Sequence, residues 1–544
     1  MAASTERMRR REKRGQGTVD LAAQRLLAEA LAQHRLGHLA QAATLYRRLL
    51  AREPRHADAC HLLGVAELGM GRAAEALASI DSAIAANDKL AAFRISRSAA
   101  LLSLGRYDEA AQSIDIALRL DGNNAEAHNV MGNILVAQGQ PQAAVACYEQ
   151  ALALRPAYAE AQNNLGSGLR AIGRLDDAER ALRAALDLRP TYPSALANLG
   201  LVLQEQARYA EALVAYERAI AADANHAAAH GNRAMLQLLL GRLEEGFAEY
   251  EWRWRMPGFA TPSRTFAAPA WDGSDPAGRT IFVHAEQGLG SAIQFARYAS
   301  LLAMRGARVI LECRRPLQRL FEQSLVGENG IARVVAKSDD VSSFDCHVPL
   351  MSLPHRLGTS LCTVPRAVPY LRANTDDVRY WHQRLEACAR PLIGLVWAGN
   401  PRHENDHNRS MPASELATLA AATSATYVSL QVPAAPNQLS AFAPGTILDF
   451  QTELGDFAQT AALIANLDLV ISVDTAAAHL AGAMDRPVWI LLPFVPEWRW
   501  LLAREDSPWY ASARLIRQSA PGDWAELTAR VTQRVRSTFG SEGR

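Results

Sequence analysis

The 544-residue chain lacks most of what would assign it to an extracellular, membrane or nucleic-acid setting. Its six cysteines (Cys60, Cys147, Cys313, Cys346, Cys362 and Cys388) are scattered without paired spacing. That pattern argues against a disulfide framework or a zinc site and predicts free thiols in a reducing compartment. No apolar run reaches the roughly 18 residues that a spanning helix needs, so no membrane span is expected. Residues 1–25 lack the apolar stretch of a secretory signal. The net charge of +1 supplies no global field for nucleic acid or a lipid surface. The one local excess is Arg9, Arg10, Arg11, Lys13 and Arg14, which makes residues 1–22 read as a disordered, solvated basic tail. These absences predict a cytoplasmic protein with no nucleic-acid partner.

What the chain has is a ladder. Gly37, Gly71, Gly105, Gly139, Gly173 and Gly241 stand on a 34-residue spacing, and the missing rung is Ala207. Units set to this register begin at 23, 57, 91, 125, 159, 193 and 227. Residues 125–158 show the pattern best: Met131-Gly132, Leu135, Ala144, Tyr148, Ala151 and Pro156 recur as Leu165-Gly166, Leu169, Ala178, Leu182, Ala185 and Pro190. Small residues at Gly132, Gly166, Gly200, Ala144, Ala178 and Ala212 fit the close crossing of two helices, and each ladder glycine fits a left-handed cap after the first helix. Pro156 and Pro190 close the second helix. One hairpin cannot bury its own apolar face, so the units must stack. The spacing and residues closely resemble the tetratricopeptide repeat. Residues 23–256 are therefore read as an α-solenoid whose groove holds a protein or peptide partner.

The register ends in a Pro- and Gly-rich linker, residues 257–279. Beyond it, β-rich runs at 280–284, 308–313, 332–336, 392–399, 426–431, 467–474 and 487–493 alternate with helical segments, legible at 291–305, 413–422 and 456–466. Alternation of this kind predicts parallel sheets with crossover helices. Irregular chain at roughly 351–391 divides the strands into an N-terminal lobe, 280–385, and a C-terminal lobe, 386–540. The fold class expected is an α-solenoid followed by two Rossmann-like α/β lobes.

Ligands bind at the carboxyl ends of parallel strands, so the loops there are the places to look. After the first run come His284, Glu286, Gly288, Gly290 and Ser291, then a helix; the two glycines allow backbone amides to approach an anion. After 392–399 comes a polar loop, Asn400 to Ser410, with Arg402, His403, His407 and Arg409. Arginine suits phosphate oxygens, and the histidine spacing matches no strong metal pattern. After 467–473 come Asp474, Thr475, Ala476, Ala477 and His479, where a cap or a diphosphate seat at a helix N-terminus is expected.

The stretch VISVDTAAAHLAGAMDRPVWILLP (470–493) resembles the donor-site signature of glycosyltransferase family 9, the ADP-heptose:lipopolysaccharide heptosyltransferases. Residues 288–298 and 397–412 are similar to other loops of that family. The overall plan is also similar in architecture to the O-linked GlcNAc transferases. The resemblance implies a GT-B fold and a metal-independent transferase that needs no cofactor and uses a nucleotide-diphosphate sugar as donor substrate. Donor binding would fall to Asp474, Thr475, Ala476, Ala477, Arg409 and Asn400, with Gln431, His479, Gly288 and Gly290 as further contacts. The family's catalytic acid stands where this chain has Ser291. Glu286 and His284 are the substitutes the resemblance leaves open, and the alternative is a non-catalytic scaffold that retains the transferase fold.

Overall fold

The computed structural model describes residues 21–540 apart from 257, 260, 262, 328–329, 338, 342, 402–404 and 433–435. The basic cluster at 9–14, Arg402 and His403 lie outside the described residues. The chain divides into two compact units between Ala224 and Asn225.

The described residues of the first unit form helical hairpins whose first helices begin at Ala57, Ala91, Ala125, Ala159 and Pro193, in the register of the glycine ladder. One hairpin shows why. Asn124 accepts a hydrogen bond from the Ala127 N–H at 3.0 Å and starts the first helix, Ala125–Ala137. Gly139, at φ 74°, stops it. Pro141 opens the second helix, Pro141–Leu154, at a position that needs no N–H. Ala144, Tyr148 and Ala151 make its buried stripe, and a side chain at Gly132 would run into the Tyr148 ring. Leu182 covers Gly166 and Tyr216 covers Gly200 in the same way. Each of these large side chains contributes about 1.5–3 kcal/mol of burial. Ala207 takes the ladder conformation without being glycine, at φ 59°.

The second unit opens with a last hairpin, α1 (Ala227–Leu239) and α2 (Leu243–Glu249), followed by a 3-10 turn, Tyr250–Arg255. The seventh ladder position, Gly241 at φ 79°, therefore belongs to this unit. Four parallel strands follow in the order β3-β2-β1-β4: β1 (Thr280–His284), β2 (Arg308–Cys313), β3 (Ile331–Ala336) and β4 (Cys346–Pro349). Their main helices are α3 (Leu289–Met304) and α4 (Arg315–Leu325). The chain between the sheets is less irregular than expected, because it holds α5 (Thr375–Leu385). Asn374 caps α5, and Trp381 on it donates to Gln459 at 2.9 Å.

The second sheet has strands β5 (Leu392–Val396), β6 (Thr426–Ser429), β7 (Ile447–Asp449), β8 (Leu469–Val473), β9 (Val488–Leu492) and β10 (Ala513–Arg517). Its order, β10-β9-β8-β5-β6-β7, is the doubly wound nucleotide-binding order, all parallel. Its helices include α6 (Ala413–Ala421), α7 (Phe457–Ile464), α8 (Ala476–Ala483) and α9 (Trp524–Phe539). Ile393, Leu395, Trp397, Ile471, Leu491 and Val531 share its core. The winding direction reverses between β5 and β8 here, and between β1 and β4 in the first sheet. These two points set where ligands can enter. No helix among the described residues is long and apolar enough to cross a membrane.

Candidate functional site

At the carboxyl end of β8 the chain turns through Asp474 and Thr475 into α8. Thr475 sits at the N-cap, yet its hydroxyl lies 2.8 Å from the Ser472 hydroxyl and makes no side-chain cap. The first-turn amides of α8 therefore have the positive end of the helix dipole and no capping oxygen from that residue. Asp474 is buried beside them. His479 lies one turn further in, with Nδ1 3.0 Å from the Tyr510 hydroxyl, Nε2 3.7 Å from Asp474 and its ring stacked on Trp500 at 5.1 Å. Burial, with Arg499, Arg297 and Arg409 adding to it, holds its pKa well below the usual imidazole range, so the ring is neutral. A side-chain carbon at Gly290 would come within 2.9 Å of this ring. Gly290 thus lets α3 of the first lobe close onto α8 of the second, while Gly288 faces open space.

Across the switch point, the loop after β5 is braced from within. Gln431 accepts from the Ala398 N–H at 3.0 Å and from the Trp397 N–H at 3.3 Å. Ser410 accepts from the Gly399 N–H at 2.9 Å and donates to Asp406 at the same distance. Arg409 Nε reaches Asp406 at 3.2 Å, and the guanidinium lies so close to Gly399 that any side chain there would overlap it. Asn400 is exposed on the same loop. The structure thus brings Asp474, Thr475, Ala476, Ala477 and His479 together on one turn. It sets Arg409, Asn400 and Gln431 around the neighbouring strand end, with the Gln431 oxygen turned to holding the loop.

The first lobe treats its candidates differently. Glu286 is almost wholly buried. It receives Arg253 Nε and Nη2 at 2.9 Å each and the Met351 N–H at 2.8 Å. Burial pushes its carboxyl up and Arg253 opposes the shift. Its side chain is wholly shut off from solvent within this buried pair, so an acceptor hydroxyl has no access to it. His284 Nε2 lies 3.3 Å from His347 Nδ1, and burial together with His347 lowers its pKa to about 3, so it is a weak proton acceptor. These two rings, Trp254, Trp271, Ser352 and Arg356 line a cavity of about 220 Å³ at the ends of β1 and β4. Gln287 holds φ 60°, pinned by Thr261 and Tyr250. Ser291 accepts Arg499 Nη2 at 2.9 Å.

Two residues of this site escaped sequence reasoning. Glu497 and Arg499 lie just past β9 and form an ion pair beside Ser291. In PEWRW they have no motif spacing, and only their place after a strand end distinguishes them.

Residues 27–252 match the tetratricopeptide repeat in four overlapping or adjacent segments, and residues 452–491 match glycosyltransferase family 9 (heptosyltransferase). The second match runs from α7 through β8 and the turn into α8 to β9, so it contains Asp474, Thr475 and His479. The chain thus carries tetratricopeptide repeats in its first half and a family 9 segment near its C-terminal end. It is 25% identical to Protein FlbA of Caulobacter vibrioides over 333 residues, 57% of this chain and 55% of FlbA, so it spans about half the length of that relative. Among solved structures it is similar to the tetratricopeptide protein TTC0263 of Thermus thermophilus, with 25% identity, 35% of this chain, 99% of that one and a TM-score of 0.30. It is also similar to YrrB, a repeat protein with an unusual peptide-binding site, with 22% identity, 34% of this chain, 95% of that one and a TM-score of 0.27. The family 9 segment supplies the buried half of the site, and Arg409 and Ser291 lie outside the matched residues.

Proposed function

We propose that the protein is a glycosyltransferase that moves a sugar from a nucleotide-diphosphate donor to a protein acceptor recruited by the repeats. The observation that carries the reading is the turn from β8 into α8, where a helix N-terminus without a Thr475 cap lies within electrostatic reach of Arg409 from the loop after β5. Departure of a nucleoside diphosphate adds charge at its phosphate oxygens. Helix amides and a guanidinium, fixed before the reaction, stabilise that charge without reorganisation. On this reading the donor needs no metal, the diphosphate lies on Ala476 and Ala477 with Arg409 over it, and Asp474 shapes the turn.

The acceptor reading rests on the first unit. Asn164 Nδ2 reaches Asn129 at 3.0 Å and Asn133 at 3.1 Å, and Asn198 Nδ2 reaches Asn163 at 2.9 Å, so side-chain amides run in a row from one repeat to the next. Asn133, Asn164 and Asn198 keep part of their surface accessible. An amide donates and accepts, as an extended peptide backbone does.

The test is release of nucleoside diphosphate from UDP-, GDP- and ADP-sugars in the presence of EDTA, with nucleotide binding measured by calorimetry. Turnover that survives the chelator and binding that is lost in Arg409→Ala support the reading. A protein that binds nucleotide and never turns over is instead the scaffold that Ser291 suggests. Asn164→Ala with Asn198→Ala is expected to raise KM for a protein acceptor and leave donor hydrolysis unchanged.

A further inference from the structure

One acid beside the site has no part in the scheme above. We propose that Glu497 takes the proton of the acceptor hydroxyl, in place of the acid that the family resemblance puts at position 291; the inference rests on the transferase reading.

The geometry begins with Arg499. Its Nη1 pairs with Glu497 Oε1, its own N–H donates to Glu497 Oε2 at 3.0 Å, its Nη2 reaches Ser291 at 2.9 Å and its Nε reaches Gln294 at 2.6 Å. One guanidinium thus ties the serine at the family's acid position to a carboxylate on the other lobe. The turn that presents the pair is held from several sides. Trp509 donates to the Arg499 carbonyl at 2.8 Å, Arg517 donates to the Trp500 and Leu501 carbonyls at 2.7 and 3.1 Å, and Trp500 stacks on His479. Leu501 and Ala503 sit at φ 53° and 48°, a backbone conformation costly for residues other than glycine. Such strain persists only where the surroundings over-determine it, and it concentrates at working sites.

The Glu497 side chain is 22% exposed, so it is open to an incoming group where Glu286 is sealed. The charged groups that act on it are Arg499 on its own turn, Asp474 at the end of β8 and Arg409 from the loop after β5. Burial pushes its carboxyl up to about 7; Arg499 and Arg409 pull the other way, and Asp474 adds to the rise. A carboxyl that titrates near neutrality is matched to proton abstraction.

In the step, the Glu497 carboxylate accepts the hydroxyl proton and the freed oxygen pair forms the bond to the anomeric carbon. The bond from that carbon to the diphosphate oxygen breaks, and its electron pair leaves with the nucleoside diphosphate toward Arg409 and the α8 amides. The neutral carboxyl then returns its proton to water.

The experiment compares the full-length protein with Glu497→Gln. Nucleoside diphosphate release is followed from UDP-glucose, UDP-N-acetylglucosamine, GDP-mannose and ADP-heptose, with water as acceptor, and UDP, GDP and ADP binding is measured in parallel. The expected result is a fall in kcat of about 100-fold, the low end for loss of a general base. Nucleotide affinity should stay unchanged, and the wild-type rate limb near pH 7 should disappear. Adding Ser291→Asp to Glu497→Gln should restore part of the rate, since Arg499 already reaches that position. A Glu497→Gln protein with the wild-type rate and pH profile overturns the assignment and leaves the transferase reading standing. A wild-type protein without turnover on any donor overturns both.

Discussion

The two lobes of the second unit share a winding plan and use it to opposite ends. In each, a parallel sheet reverses direction beside its first strand, β1 against β4 and β5 against β8, and delivers polar residues to the carboxyl ends of those strands. In the first lobe these residues are sealed. Arg253, from the turn that ends the last hairpin, is fully buried against Glu286 and Ser352, and His284 packs on His347. In the second lobe the corresponding ends stay partly open: Thr475 withholds its hydroxyl from α8, and Arg409 and Glu497 keep 18% and 22% of their side-chain surface. Topology decides where polar groups arrive, and what packs on top of them decides whether they can act.

Breaking the first lobe's seal should have the largest effect. Arg253→Ala leaves Glu286 as a buried charge without its partner and is expected to lower stability by about 3–5 kcal/mol, read from urea denaturation. In the second lobe the same kind of change should spare the fold and strike the ligand. Arg409→Ala removes a charge-assisted contact worth about 1.5–3 kcal/mol, so UDP or ADP affinity should fall roughly 10- to 100-fold with little change in the denaturation midpoint. If both variants unfold the protein, or both merely weaken binding, the contrast between the lobes is wrong.

Acid sharpens the same contrast. An unfolded imidazole titrates near 6.5 and His284 only near 3 in the folded protein, so the unfolded state binds the extra proton between those values. Stability is full above about pH 6.5 and falls as the pH drops, by about 1.4 kcal/mol per pH unit for this one group. His479, also held well below the usual imidazole range by burial, adds to the loss as the pH falls below about 6.5. Denaturation midpoints at pH 7 and pH 5 check this, and His284→Gln should flatten the slope. The smallest effect lies outside both lobes. Ala207→Gly should stabilise the repeats by about 0.5–1 kcal/mol, the left-handed strain of alanine less the greater unfolded freedom of glycine, and thermal melting measures it.

The repeats were legible almost to the residue because their determinants are local and periodic. A glycine in the left-handed region every 34 positions and a small residue under each Tyr or Leu leave little freedom in the register. Central strands such as β5, β8 and β9 announced themselves as fully buried apolar runs. β4, β7 and β10 lie at sheet edges; β4 and β7 are short and partly exposed, β10 has an exposed Arg514 inside it, and all three carry His, Asp or Arg, so they gave no such signal. At the site, the Asp474–His479 turn was readable because one strand and one helix build it. The fate of Glu286 was not, since its partner Arg253 lies 33 residues away in the turn after the last repeat. Glu497 stayed hidden for a similar reason: its relation to Ser291 spans two lobes and exists only through Arg499.

The turn Tyr250–Arg255 has a consequence for how such a chain can be rearranged by descent. Because it supplies the cation that neutralises Glu286, the seventh ladder position and its hairpin must stay with the α/β lobes for that charge to keep its partner. An exchange of the repeat array has its natural breakpoint near 224 and 225, one hairpin earlier than the repeat pattern itself would place it. Upstream of that seam, repeats can be gained, lost or replaced as units without disturbing the lobes' buried charge.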